Sequence, residues 1–428
     1  MKSKTRKAAF VRKSFVLPPL FSLCVLGRAA EAQETSMQSE TVQPLSPPIE
    51  SVSELHMTND FQVFPVRPAP SAPMPYEPFR WDQFVIRPHA DYQLIAAKGI
   101  LAAPSNQVDT VIQNISAGVL VNLGPHWSLD YTAMIGLYSN TNFGTEVDHN
   151  ITLTGLTAYH DWIFEFLQTV ALSKSPQIET AGQVDEDNYN TAVTGHHEDN
   201  EYISEDLAVY QNIQETSGGY ENNRSWSMLD WLNYQPQSRF NIGIGAGLGY
   251  DNADFGPDSV FEQLEARANW RATDKLSFQV NGGIEESEFL GGEGAGDLFS
   301  PIYGATIEYQ PFSQTQISAY VNRSVSPTVF VGQYSENTSI GCSFSQRLFQ
   351  QFFLNLNGSY NNQQYVASAS DIAAARTDKF YSLSMRLSHS FLKRGTASIF
   401  YQYGSDNSTA AGYSFSSNQY GVEVNYSF

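Results

Sequence analysis

Two histidines inside an acidic stretch are the first residues that could do chemistry. His196 and His197 lie between Asp185-Glu186-Asp187 and the set Glu198, Asp199, Glu201, Glu205 and Asp206. Imidazole and carboxylate groups together ligate divalent ions. The spacing matches no defined metal motif, so the stretch reads as solvated loop and turn charge, and neither metal nor cofactor is assigned. His389-Ser390 raises nucleophilic hydrolysis, which needs a hydroxyl within reach of a base. Adjacent residues on a strand point to opposite faces, and no Ser–His–acid set can be assembled on one face, so no enzymatic activity is expected. Gly243, Gly245, Gly247 and Gly249 are not a nucleotide loop, because no phosphate-cradling helix follows them. They share one face of a strand, where they avoid bulk at a tight place or leave room for an inward loop. Arg87, His89 and Asp91 also share one face, as an interior ion-pair ladder or a selectivity element would.

The elements that must position these residues are strands. The chain's end alternates without a break: Tyr420, Val422, Val424, Tyr426 and Phe428 on one side, Gln419, Gly421, Glu423, Asn425 and Ser427 on the other. Period-two alternation marks a strand with one apolar and one polar face. The pattern recurs from residue 81 onward. Phe240, Ile242, Ile244, Ala246, Leu248 and Tyr250 oppose the glycine face, and Tyr381, Leu383, Met385 and Leu387 oppose Ser382, Ser384 and Arg386. Weaker candidates lie near 188–194, 204–213 and 225–234. Short connections, such as Gly124–His126 and Leu392–Arg394, alternate with long ones near 96–109, 139–146, 173–187, 214–224, 251–259, 285–301, 323–336, 361–378 and 404–417.

Bulk composition narrows the class. Aromatics are 13% and charged residues 16% of 428 residues, with a mean hydropathy of −0.31. No run of about 18 apolar residues follows residue 32, so no transmembrane helix is expected. A transmembrane barrel has such bulk hydropathy, because half of each strand faces water. Residues 1–32 read as a secretory signal, with a basic start, an apolar stretch from Phe15 to Leu26 and Ala30-Glu31-Ala32 as cleavage site. Residues 33–80 form a Pro-rich lead-in, holding nine of the 20 prolines between Pro44 and Pro78. The net charge of −20 argues against nucleic acid as a partner. Cys342 is expected as a buried or lipid-facing small apolar residue, with no disulfide partner once Cys24 leaves with the signal.

Residues 81–428 are therefore expected to form an all-β, transmembrane, antiparallel up-and-down barrel of about 18 strands, with 16 as the alternative, short periplasmic turns and long extracellular loops. A soluble sandwich would not need one end's loops to be longer, and a solenoid would show a fixed repeat. Apolar faces meet lipid, and aromatics beside the turns (Trp127, Trp162, Trp270, Phe278, Tyr309 and Phe353 among them) suit its interfaces. Candidate lumen-facing residues are Arg87, His89, Asp91, Glu265, Arg267, Glu308, Arg386 and Glu423. Loops of this length could fold in and constrict the channel. Excess carboxylates would favour cations.

Two resemblances sharpen the expectation. The last strand, with its aromatic terminus, resembles the closing strand of bacterial outer-membrane barrels, which implies that Tyr420, Val422, Val424, Tyr426 and Phe428 act as a signal to the barrel assembly machinery. The segments Trp127-Ser128-Leu129-Asp130-Tyr131, Met228-Leu229-Asp230-Trp231, Asn269-Trp270-Arg271-Ala272-Thr273-Asp274, Tyr309-Gln310-Pro311-Phe312 and Phe391-Leu392-Lys393-Arg394-Gly395 resemble the β-barrel porin-2 (OmpL-like) family over roughly residues 80–428. The resemblance implies an outer-membrane location, contact with outer-membrane lipid and lipopolysaccharide, and passage of small hydrophilic solutes. A homo-oligomer would follow by analogy. The rival expectation is a structural or secretion-associated barrel without an open channel.

Overall fold

The computed structural model describes residues 79–81, 84–290, 296–349, 351–368, 376–392 and 394–427. The signal, nearly all of the lead-in, and Phe428 lie outside the described residues. Eighteen long strands follow one another: β1 Phe84–Ala103, β2 Asn106–Leu123, β3 Trp127–Tyr138, β4 Glu146–Tyr159, β5 Trp162–Ser173, β6 Glu186–Glu198, β7 Ile203–Thr216, β8 Asn223–Gln237, β9 Phe240–Ala253, β10 Asp258–Thr273, β11 Leu276–Leu290, β12 Asp297–Phe312, β13 Thr315–Pro327, β14 Gln333–Leu348, β15 Phe352–Ala367, β16 Thr377–Phe391, β17 Gly395–Ser408 and β18 Phe415–Ser427. Each pairs antiparallel with its successor, and β18 pairs with β1 from Lys98↔Asn418 to His89↔Ser427. The sheet is thus a closed antiparallel barrel of 18 strands, which leaves no open edge along that seam. Below the seam's last pair, the short strand Phe79–Trp81 turns back and pairs with Phe84–Ile86.

The alternation read from the sequence decides the two faces. On β9, Ile242, Ile244 and Leu248 are exposed while Gly243, Gly245 and Gly249 are buried. On β18, Tyr420, Val422 and Val424 are exposed while Gln419 is buried. Exposed apolar side chains therefore form the outer face and polar ones the inner face, the reverse of a soluble core. Such a closed ring satisfies its own backbone groups, as lipid requires. Cys342 is exposed on the outer face, paired with Ala319 and Gly358. Phe353 lies opposite the outward Phe352 and points inward under Arg347, so it is not an interface aromatic.

One end carries short turns throughout, for example residues 160–161, 238–239 and 313–314. The other end departs from expectation. Its connections are shorter than the sequence suggested: residues 104–105 join β1 to β2, residues 254–257 join β9 to β10, and residues 328–332 join β13 to β14. Beyond a membrane belt both strand faces meet water, so alternation fades before the strand ends. The acidic stretch also changes. The weaker strand candidates near 188–194 and 204–213 extend into its charged residues, so that 186–216 form the hairpin of β6 and β7 about a turn at 199–202. Polar residues on both faces, such as Asn190 and Thr191, hid its alternation.

Candidate functional site: the narrowed lumen

The longest fully described loop, residues 174–185, carries a small hairpin of Pro176–Gln177 with Gly182–Gln183 and folds inward. Its tip residues Ile178 and Ala181 are buried against Leu101 of β1 and Phe415 of β18, with Phe380 and Tyr413 alongside. The loop leaves from β5 and β6 and so reaches the seam, several strands away around the ring. Beside the tip stands Arg376. Its Nη1 donates to the Glu179 carbonyl at 3.0 Å, its Nε donates to Asp378 Oδ1 at 3.0 Å, and its Nη2 lies 2.6 Å from Asp378 Oδ2. The guanidinium also lies 3.9 Å from the Tyr413 ring centre, 4.8 Å from Tyr365 and 5.4 Å from Phe330. A delocalised, weakly hydrated cation suits such a stack.

Neighbouring loops brace this arrangement. Glu221 N donates to the Val329 carbonyl at 2.7 Å, and the Glu221 carboxylate accepts from Phe255 N at 2.7 Å and Gly256 N at 2.9 Å. Ser368 Oγ donates to the Gly332 carbonyl at 2.7 Å. Loops 217–222, 254–257 and 328–332 are thereby tied across the loop end. Burial pushes the Glu179 carboxyl up to about 8, with Arg376 opposing the rise.

Deeper in the barrel, charged side chains gather on two walls. On the seam wall Arg386 of β16 pairs with Glu423 of β18, and Gln93 Nε2 of β1 donates to the same carboxylate at 3.1 Å. Arg386 also lies over Phe400 at 5.2 Å. Phe400 packs inward with Ile95, Ala97 and Ile112, an apolar girdle in an interior expected to be polar. On the far wall Arg267 of β10 pairs with Asp206 of β7, and its Nε donates to Asn233 Oδ1 at 3.0 Å. It lies over the Trp231 ring at 4.3 Å. His196 Nδ1 meets Asp206 Oδ1 at 2.5 Å. The β9 glycines make this possible: a Cβ on Gly245 would stand 2.6 Å from Trp231, and one on Gly243 2.6 Å from Asn233 Oδ1.

The eight candidate lumen residues are distributed unevenly. Arg386 and Glu423 come together. Arg267 is drawn to Asp206 across two intervening strands rather than to Glu265, which accepts from Asn281 Nδ2 at 3.0 Å. Glu308 stands near the short-turn end, with Ser277 Oγ 3.5 Å away. Arg87, His89 and Asp91 share a face of β1 but do not form a ladder. Arg87 is exposed toward the short-turn end, and His89 Nε2 meets Thr132 Oγ1 at 2.9 Å and Asp130 at 3.8 Å. His89 therefore turns to a neighbouring strand instead of to Asp91, whose Oδ2 meets no hydrogen-bond partner among the described residues. His389 and Ser390 point to opposite faces, and His389 stacks on the outward Phe352 at 4.6 Å. His197, on the outer face, stacks on Trp162 at 5.1 Å, so the histidine pair is split across the wall.

No family model matches the chain, and no curated protein matches it. Solved structures do. The outer membrane protein opdK from Pseudomonas aeruginosa is similar at a TM-score of 0.46 and 9% identity, over 80% of this chain and 99% of that one. Pseudomonas aeruginosa OccK5 (OpdH) is similar at 0.44 and 8%, over 81% and 98%. Pseudomonas aeruginosa OprD is similar at 0.42 and 8%, over 81% and 95%.

Proposed function

We propose that the protein is an outer-membrane channel for passive diffusion of small hydrophilic solutes, narrowed at its extracellular end by loop 174–185. The carrying observation is a closed 18-strand ring, apolar outside and polar inside, with one loop folded across its mouth. A ring of this size is wide enough for water unless something fills it. The inner wall supports a cation preference. Arg267 and Arg386 are each neutralised by a carboxylate, whereas Glu265 and Glu285 are held by the amides Asn281 and Gln263. Uncompensated inward carboxylates favour cations. On this reading residues 1–32 are a cleaved signal, residues 33–80 a periplasmic lead-in, and the last strand the assembly signal for the barrel machinery. The turn and girdle sequences ally the chain with the β-barrel porin-2 (OmpL-like) family.

The test is single-channel conductance of the refolded protein in a planar bilayer under a salt gradient. A stable conductance with a cation-selective reversal potential is expected. The bracing among loops 217–222, 254–257 and 328–332 favours one rival, a structural barrel with a sealed mouth. Zero conductance from protein shown to be folded by its mobility on unheated gels selects that rival.

A further inference from the structure

The rim at the short-turn end is not uniform. On one side its turns are polar: His126, Asp161, Glu201, Arg239 and Asp274 stand at the tips, and the exposed rings there, Tyr159 and Tyr202, bear hydroxyls. On the other side, from β12 round to the base of β1, Phe312, Phe349, Leu392, Trp81 and Phe79 are exposed. Phe349 and Leu392 sit on neighbouring turns and are 88% and 77% exposed, each with φ of 48°. Glycine and asparagine take such a left-handed backbone readily, whereas a bulky side chain there is strained. Strain of this kind persists where it serves a contact. The outward rings Tyr309 and Phe352 already stand at the strand ends, so these tips project beyond the interface aromatics. The stretches 310–316, 346–353 and 389–397 contain no Asp or Glu but carry Arg347, Lys393 and Arg394.

The chain itself carries a segment that fits this arc. Residues 50–78, which lie outside the described residues, lead directly into Phe79. They hold Glu50, Glu54, Asp60 and Glu77 against Arg67 alone, a charge opposite to that of the apolar turns. Six prolines fall between Pro65 and Pro78, interleaved with Val66, Met74 and Tyr76. Proline-rich segments of this kind dock on exposed aromatic surfaces, because their extended form is already set before binding. The point of entry also fits. Phe79 pairs with Ile86, and Ser427 of β18 takes the same edge of β1 at His89. Pro78 has no N–H with which to lengthen the ladder. The segment therefore reaches the sheet from beside turn 392–394, where the Arg394 carbonyl accepts from Ser427 N at 3.1 Å.

The lengths agree as well. Strands lie about 4.8 Å apart and tilt by roughly 45°, so Leu392, Phe349 and Phe312 stand roughly 7–10, 17–24 and 26–37 Å along the rim from Phe79–Trp81. At about 3.1 Å per residue, residues 65–78 span about 43 Å in polyproline II extension, and Ala72 falls level with Phe349. We propose that residues 65–78 dock back along the apolar arc of the rim, with Leu392, Phe349 and Phe312 packed against the proline-rich segment and Arg347 and Arg394 beside its carboxylates. The segment then covers tips that would otherwise be open to other chains. The inference does not depend on the barrel's conducting solutes.

Cysteine cross-linking of the full chain in native membranes tests it. In a Cys24→Ser, Cys342→Ser background, Ala72→Cys with Phe349→Cys should oxidise to a disulfide within one chain. Ala72→Cys with His126→Cys should link at least tenfold more slowly, although His126, on the polar side, is nearer along the rim. Separately, chymotrypsin should cut slowly after Tyr76 in the unaltered protein. Phe349→Asn with Leu392→Asn should speed that cut at least tenfold, and because asparagine suits the left-handed turns this variant should keep the folded barrel's mobility on unheated gels. The proposal is overturned if the 126 pair links as fast as the 349 pair, if the linked product joins two chains, or if the asparagine variant is cut no faster than the unaltered protein, which would leave the tips to the lipid interface or to another partner.

Discussion

Replacing Arg376 by Gln should loosen the loop across the mouth. One of its contacts holds that loop directly, the hydrogen bond to the Glu179 carbonyl at 3.0 Å, while the stack on Tyr413 at 3.9 Å, outside that loop, fixes the guanidinium beside it. A hydrogen bond from a charged group contributes about 1.5–3 kcal/mol, and a desolvated cation–π contact about 0.5–2 kcal/mol. The bond to Asp378 lies within one segment and does not itself tie the loop, but the substitution would leave that carboxylate buried without its cation, which favours admitting water. Loss of the direct bond alone, roughly 1.5–3 kcal/mol, shifts the closed-to-open ratio by about 10- to 150-fold, at 1.4 kcal/mol per tenfold. The assay is single-channel recording at fixed voltage, reading the fraction of time at the highest conductance level. Arg376→Lys, which keeps the charge but not the fork geometry, should fall between the two. A Gln variant that folds, runs as the unaltered protein on unheated gels and shows the same closed fraction would refute the reasoning.

Four further outcomes follow from other parts of the barrel. Glu179 titrates about 8 with the loop docked, above the usual carboxyl range near 4.5; the docked state holds the extra proton, so closure should be strongest at low pH, weaken as pH rises from about 4.5 to 8 and level off above it. Glu179→Gln should flatten this dependence in the same recordings. Gly245→Val puts carbon 2.6 Å or less from Trp231 and should cost about 1–3 kcal/mol by overpacking, read as a lower urea midpoint and altered tryptophan emission. Glu265→Gln with Glu285→Gln should lower the cation-to-anion permeability ratio in a salt gradient. Val422→Asn puts an amide on the outer face of the last strand and should reduce the share of protein recovered as folded barrel from membranes.

How much of this was readable depends on what each residue faces. The outer sets of β9, β16 and β18 could be read directly, because water on one side and apolar surroundings on the other force period two. The hairpin of β6 and β7 showed only as two weaker candidates, near 188–194 and 204–213, since Thr191 and Gln211 put polar groups on its outer face as well. Loop boundaries failed for a related reason: Asp258 and Ser259 look like loop residues, yet they continue a ladder that has risen past the apolar belt. At the site, Arg386 and Glu423 were visible as inward charges, but Arg267 with Asp206 was not visible as a pair. Their meeting depends on a long side chain crossing Gly243 and Gly245, a matter of register between strands far apart in sequence. Arg376 lay in a stretch rich in Ala and Ser, with nothing local to announce three aromatic neighbours from other segments.

The short strand Phe79–Trp81 has a consequence for how safely the ring is sealed. β18 stops opposite His89, leaving the start of β1 with backbone donors and acceptors on the seam side that the ring itself does not use. Residues 79–81 occupy that edge at Phe84–Ile86, so the chain supplies its own blocking strand at the place where two free ladders would otherwise invite an intruder. A chain shortened to begin at residue 84 would still close its seam, yet it would carry a bare template at the base of β1. Edges of that kind recruit strands from other molecules.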